Sequence, residues 1–190
     1  MNDATRYTRP AMVLHWLVAG LMLVNVALGL SPDYLPDSWV RPVIDTHKSI
    51  GITVLGLFVL RLLWRLGHKP PALPASFAGW EKTLSHIVHI GLYGVMIALP
   101  ITGWMHDSAW KDAATHPMSL FYTVPFPRIG FIMNLDPTTK EAMHKLFGAF
   151  HREAGYLFYA LFFLHLAGAL KHEWVDKESV LRRMLPGRGV

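Results

Sequence analysis

The chain has no cysteine. This excludes disulfides, iron–sulfur clusters and any cofactor held by a thiolate or a thioether link. Charged residues are sparse, 16% of 190. No HExxH occurs, so a tightly spaced zinc protease site is absent. No GxSxG occurs either, and the serines lie mostly in links and helix ends, which leaves a serine-hydrolase reading without support. The sequence shows no internal repeat and no low-complexity tract.

What is abundant is apolar. Hydrophobic residues make up 52% of the chain and the mean hydropathy is +0.29, the composition of a membrane protein. Four runs, at about 11–30, 49–64, 86–104 and 146–170, are expected to span a bilayer. The second is short between its charges, but Lys48, Arg61 and Arg65 can snorkel to the interfaces. The first follows Arg6 and Arg9 like a signal peptide, yet it is about twenty residues long and runs into Ser31, Pro32 and Asp33 with no small-x-small cleavage site. A retained helix is expected. The fold class is an all-α membrane protein: one four-helix, up-and-down bundle over 1–190.

Charge orients the bundle. Arg6 and Arg9 precede the first run. Arg61, Arg65, Lys69 and Lys82 surround the second link, and Lys171, Lys177, Arg182, Arg183 and Arg188 follow the fourth run. The first link has only Arg41 against Asp33, Asp37 and Asp45. The positive-inside rule then places both termini in the cytoplasm. The net charge of +5 reads as a juxtamembrane belt rather than a nucleic-acid surface. Pro32, Pro36 and Pro42 are expected to break the first link, and Pro70, Pro71 and Pro74 to stiffen the second. The third link, 105–145, is long and holds an aromatic, proline-rich stretch at 121–131; it is either an interfacial cap or a plain connector on the headgroups. The tail reads as a short amphipathic helix ending at Pro186 and Gly187.

Four of the eleven histidines, His144, His151, His165 and His172, share one heptad register. Two helical turns take about 7.2 residues, so they lie close to one face, and His151 and His165 stand about 21 Å apart along it. Topology sorts the others by depth. His15 and His165 fall toward the inner side, His47 and His151 toward the outer. Ionisable groups at membrane depth are usually paired and functional. Two matched levels on three helices point to two stacked haems, each gripped by two imidazoles from facing helices. His86 and His89, also inner, are rival ligands to His15. His144 is expected in the outer headgroup zone and His172 at the inner interface. His68, His106 and His116 read as loop or interface residues. One zinc ion cannot be shared by helix-four ligands about 21 Å apart. Glycines on every helix would give a planar macrocycle room, or simply close packing; Gly155 and Gly168, near His151 and His165, carry most weight.

Together these residues resemble the bacterial cytochrome b-561 family. The likeness rests on His15-Trp16, on His47-Lys48-Ser49-Ile50-Gly51, on Arg61 to Arg65 (RLLWR) and on His86-Ile87-Val88-His89. It continues through His151 and His165, fourteen apart, to Lys171-His172, Asp176-Lys177 and the LRRMLP tail at 181–186. It covers nearly the whole chain and is weak in the third link. The resemblance implies four membrane helices and two b-type haems, one ligated by His15 and His165, the other by His47 and His151. It implies oxidoreductase activity: superoxide oxidases of this family pass electrons from periplasmic superoxide to ubiquinone, across the bacterial inner membrane. More distant members are cytochrome subunits of hydrogenases and formate dehydrogenases.

Under that reading the outer mouth should be positive, because a small anion is then gathered and guided. Lys48, Lys145 and Arg152 flank the outer histidines, with Arg128 and Lys140 above; ordinary snorkelling would place the same charges there. His172 is the first candidate to supply protons to quinone, since histidine titrates near neutrality; Lys171, His86 and His89 follow. Arg61 and Arg65 would neutralise haem propionates, or else bind lipid phosphate. An electron-conduit subunit of a larger oxidoreductase, and a haem-storing or haem-sensing bundle, are the other classes.

Overall fold

The computed structural model describes residues 6–185. Pro186, Gly187 and Arg188 of the expected tail lie outside the described residues. Four long helices carry the chain: α1 (Arg9–Leu30), α2 (Asp37–Gly67), α3 (Gly79–Ser108) and α5 (Pro137–Trp174), with a four-residue helix α4 (Gly130–Met133) before the last. All four long helices are apolar and long enough to cross a membrane. The expected four-span bundle is the observed one.

Its boundaries extend beyond the expected ones. α2 begins at Asp37 rather than near residue 49 and runs through Pro42. The proline has no N–H to offer the Ser38 carbonyl one turn back, while its own carbonyl accepts from the Thr46 and Tyr122 hydroxyls, each at 2.8 Å. His47 therefore sits inside a helix rather than at its mouth. α5 begins at Pro137 because Asp136 is a strong N-cap, accepting from the Thr138 and Thr139 N–H groups at 3.1 and 3.0 Å. At the start of α3, Glu81 accepts from the Ala78 N–H at 2.9 Å.

α1 packs along α2 and α3 along α5, and α2 meets α3 to join the two pairs. The backbone of α5 scarcely meets those of α1 and α2, and Phe158 reaches across to the buried cluster that holds Val18 and Val54. At mid-depth Val18, Met22, Val54, Phe58, Val95, Met96 and Phe158 form a buried apolar layer. Both described ends of the chain lie at the same end of the bundle. The Trp16 indole donates to the Met184 carbonyl at 2.7 Å and the Tyr7 N–H to Arg183 at 3.3 Å. The Arg183 guanidinium also reaches the Ala72 carbonyl in the second link, at 2.8 Å. This is the termini end; the third link lies at the other, the loop end.

The third link is a folded cap, not a plain connector. Ser119–Leu120 and Val124–Pro125 pair as a small antiparallel hairpin. Its turn places Phe121 and Tyr122 at φ 49° and 62°, where non-glycine residues are uncommon. Contacts to α2 hold them there: the Phe121 N–H donates to the buried Ser49 hydroxyl at 2.9 Å, and the Tyr122 hydroxyl to Pro42. A second anchor ties the cap to α3, where buried Ser108 accepts from the Ile129 N–H at 3.0 Å.

Candidate haem-binding histidines

The histidines fall at two levels. At the loop end the His47 and His151 rings are 6.0 Å apart, centre to centre, at 84°. At the termini end His15 and His165 are 6.3 Å apart at 74°. A metal bonds imidazole nitrogen at about 2 Å, and a ring centre lies roughly 1 Å behind that nitrogen, so two axial imidazoles on one metal stand about 6 Å apart. Both pairs have that separation. Each bridges helices whose backbones are apart, α2 to α5 and α1 to α5. The buried layer around Phe158, midway between His151 and His165 in sequence, separates the levels.

The hydrogen bonds fix ring orientation. His47 Nδ1 donates to the Asn25 carbonyl and His151 Nδ1 to the Leu99 carbonyl, each at 2.9 Å. That leaves both Nε2 lone pairs free, the usual state of a metal-ligating histidine. The pair also needs glycine beside it. A Cβ on Gly29 would come within 3.0 Å of the His47 ring, and one on Gly103 within 3.1 Å of the His151 ring. The weight given to Gly155 and Gly168 is corrected: a Cβ at Gly155 would meet only the Tyr159 hydroxyl at 3.9 Å, and at Gly168 nothing within 4 Å.

The termini-end level holds a third ring. His89 lies edge-on to His165 at 5.1 Å, closer than two axial ligands of one metal, and its Nδ1 donates to the Ser85 carbonyl at 2.6 Å. His15 differs from the rest, because its Nδ1 accepts from the Arg61 guanidinium at 2.7 Å. Arg65 donates to the Tyr93 hydroxyl at 2.8 Å. Arg61 and Arg65 line a cavity of about 50 Å³ with Arg6, Tyr7, Trp64 and Lys69. His86 is exposed and, among the described residues, bonds only the Lys82 carbonyl. It does not join the level.

The positive mouth is not built as expected. Lys48, 14% exposed, pairs with Asp45 at 2.8 Å and Asp107 at 2.9 Å. Arg128, 6% exposed, pairs with the other oxygen of Asp107 at 2.7 Å and also donates to the Ala113 and His116 carbonyls. Both cations are matched by carboxylates, Lys48 tying α2 to α3 and Arg128 tying the cap to α3, which corrects the open steering role expected of Lys48. Arg152 and Lys145 remain exposed, each beside a glutamate. His106 and His144, expected to be unremarkable, stack at 3.9 Å, and each Nδ1 donates to the other's backbone carbonyl, at 2.8 and 3.0 Å. This clasp joins α3 to α5 above the loop-end pair.

His172 lies at the termini end, its side chain 12% exposed. Its ring stacks on buried Phe77 at 3.8 Å, and its Nδ1 meets Asp176 at 2.6 Å. Lys171 bridges Asp176, at 2.8 Å, and Glu81. Glu81, His172 and Asp176 cluster closely enough to hold an ion, but the Lys171 ammonium already lies between the two carboxylates. The hydrogen bond from Lys171, then that from His172, holds the Asp176 carboxyl below its ordinary value of 3.8. Its contribution is therefore complete above pH 3.8 and is lost as the pH falls through the depressed value. Protection of the amides after Trp174, measured against the intrinsic exchange rate at each pH, should fall in that acid window, while the core of α3 stays protected. Equal protection at pH 6 and below the depressed value would show that this carboxylate does not hold the tail.

Asn25 and Asp107 escaped the sequence reading. Each carried a signal: a polar or charged residue within an otherwise apolar helix.

Four membrane-length helices with imidazoles paired across them at two depths define a multi-pass membrane protein of the cytochrome type. Comparison with known proteins agrees. The profile described as prokaryotic cytochrome b561 matches residues 6–187, and the chain belongs to that family. Cytochrome b561 homolog 2 of Escherichia coli (strain K12) is 30% identical over 97% of this chain and 93% of its own length. Homolog 1 of the same organism is 23% identical over 96% and 98%. A probable superoxide oxidase CybB of Yersinia pestis is 28% identical over 95% and 96%. Membership gives the protein b-type haem and an electron-transfer function in a membrane.

Proposed function

We propose that the protein is a di-haem b-type cytochrome of the bacterial inner membrane, with both termini in the cytoplasm, that passes electrons from periplasmic superoxide to ubiquinone. One observation carries this reading: two cross-helix imidazole pairs, each about 6 Å between ring centres, lie at opposite depths of one bundle. His47 and His151 are assigned to the periplasmic haem, His15 and His165 to the cytoplasmic one. The short His89–His165 separation favours His15 over His89 as the second cytoplasmic ligand. Arg65, which lines a small polar pocket with Arg6 and Lys69, is assigned to the propionates, and Arg61 stays beside His15. Bound haem supplies reversible one-electron chemistry at the iron.

The chain's own groups do the remaining work. The carbonyls of Asn25 and Leu99 orient the periplasmic imidazoles. Arg152, next to His151, and Lys145 are the exposed cations that remain as candidates to attract an anion. Two superoxide anions each lose one electron and leave as dioxygen. One quinone takes those two electrons and two protons to become quinol. His172 is proposed to pass the protons, since its partner Asp176 reaches inner water. His172→Ala should then slow quinone reduction by about tenfold or more while both haems stay bound, as general acid–base losses do. Unchanged quinone kinetics would remove His172 from the mechanism.

The closure of Lys48 and Arg128 in ion pairs favours a second reading, an electron-conduit subunit that receives electrons from a partner protein rather than from a steered anion. The two separate in one experiment. Purified protein is mixed with enzymatically generated superoxide and ubiquinone, and haem and quinol absorbance are followed. Haem reduction followed by quinol formation supports the first reading. No reduction by superoxide, with copurification of a soluble oxidoreductase, supports the second.

A further inference from the structure

The two histidine levels differ in their electrostatic surroundings in a way that assigns them unequal affinities for an electron. At the loop end both imidazoles donate Nδ1–H to backbone carbonyls. Such bonds make a ligand more basic and favour the oxidised metal. The charges nearby also cancel, because Lys48 and Arg128 are matched by Asp45 and Asp107. At the termini end His15 is met by a guanidinium, 2.7 Å from its Nδ1. Arg65, one turn further along α2, lies over the Tyr93 ring at 5.4 Å. Among the described residues no carboxylate pairs with Arg61 or Arg65. A cation that no carboxylate balances, in a poorly hydrated place, stabilises whichever state of a neighbouring metal carries less positive charge.

We propose that Arg61 is a positioning residue for redox direction: its charge beside His15 makes the termini-end haem the higher-potential of the two, so that electrons run from the loop end to the termini end. This rests on the two-haem reading above. A neutral axial imidazole keeps its Nδ1 proton, so the guanidinium then bonds some other acceptor, but its tether on α2 keeps the charge near the ring. The effect needs the charge, not that particular hydrogen bond. It is distinct from holding a propionate, which a neutral hydrogen-bond donor could also do.

The test is a spectroscopic redox titration of purified, haem-loaded protein. Wild type should titrate in two waves. In His47→Ala, which keeps only the termini-end haem, the surviving wave should be the upper one. Arg61→Gln should lower the upper wave so that its reduced-to-oxidised ratio at a fixed potential falls about tenfold, some 59 mV for one electron, and should leave the lower wave in place. Arg61→Lys, which keeps the charge, should restore most of the difference. The inference is overturned if the wave surviving in His47→Ala is the lower one, or if Arg61→Gln binds both haems with the upper wave unmoved. Should Arg61→Gln lose a haem, the ordering seen in His47→Ala decides. A wild type with a single haem would instead overturn the two-haem reading itself.

Discussion

His151→Ala should leave the protein with one haem per chain instead of two, and should abolish its reduction by superoxide while chemical reductants still reduce the remaining haem. The expected loss is large because His151 is one of only two imidazoles at the loop-end level and is seated by several features. Leu99 fixes its tautomer and Gly103 makes room for its ring. His144 continues the register one heptad earlier, but it lies about 10 Å further along the helix and stacks on His106, so it is not placed to substitute. His47→Ala should give the same spectrum. The haem content of each variant, with circular dichroism to verify the helices, checks this. Two haems retained in His151→Ala would refute the assignment at that level. Loss of both haems from an intact bundle would refute the independence of the two levels.

Asp107→Ala should be the most damaging substitution outside the histidines. Asp107 is a single carboxylate between two poorly exposed cations, Lys48 and Arg128, at 2.9 and 2.7 Å. Removing one member of a buried ion pair costs about 3–5 kcal/mol, chiefly because the partner charge stays buried without compensation. Lys48 keeps Asp45 and Arg128 keeps two carbonyls, so about 3 kcal/mol is expected, or roughly 10 °C in Tm for a chain of this size. The cap should loosen at the same time, since Arg128 ties it to α3. Thermal unfolding in detergent and proteolysis within 109–136 report the two effects. Asp107→Asn, which keeps the shape but not the charge, should fall between. An unchanged Tm in Asp107→Ala would mean that the triad contributes little.

The legible parts of the fold were those governed by hydropathy. Uninterrupted apolar runs reveal a membrane helix from sequence because lipid demands them. Helix ends were less legible. Pro42 reads as a breaker, yet the helix runs through it: it lies near the helix start and costs one backbone hydrogen bond, and two hydroxyls, one from a loop 80 residues away, anchor its carbonyl. Asp136-Pro137 was a readable start signal that the apolar pattern overshadowed. The histidine levels followed from topology alone, since alternating helix direction fixes depth. Their detailed surroundings did not, because these depend on crossings between helices. Gly103, not Gly155, lies against His151, and Lys48 meets a carboxylate 59 residues away. A local sequence reading fixes the sign of a charge but not whether a partner cancels it.

A pyridine haemochrome assay on the purified wild-type chain, set against protein concentration from amino-acid analysis, bears most directly on the paired-imidazole account. Two b-type haems per chain is the expected value. A content that saturates at one, or at none when haem is supplied in excess, would contradict it.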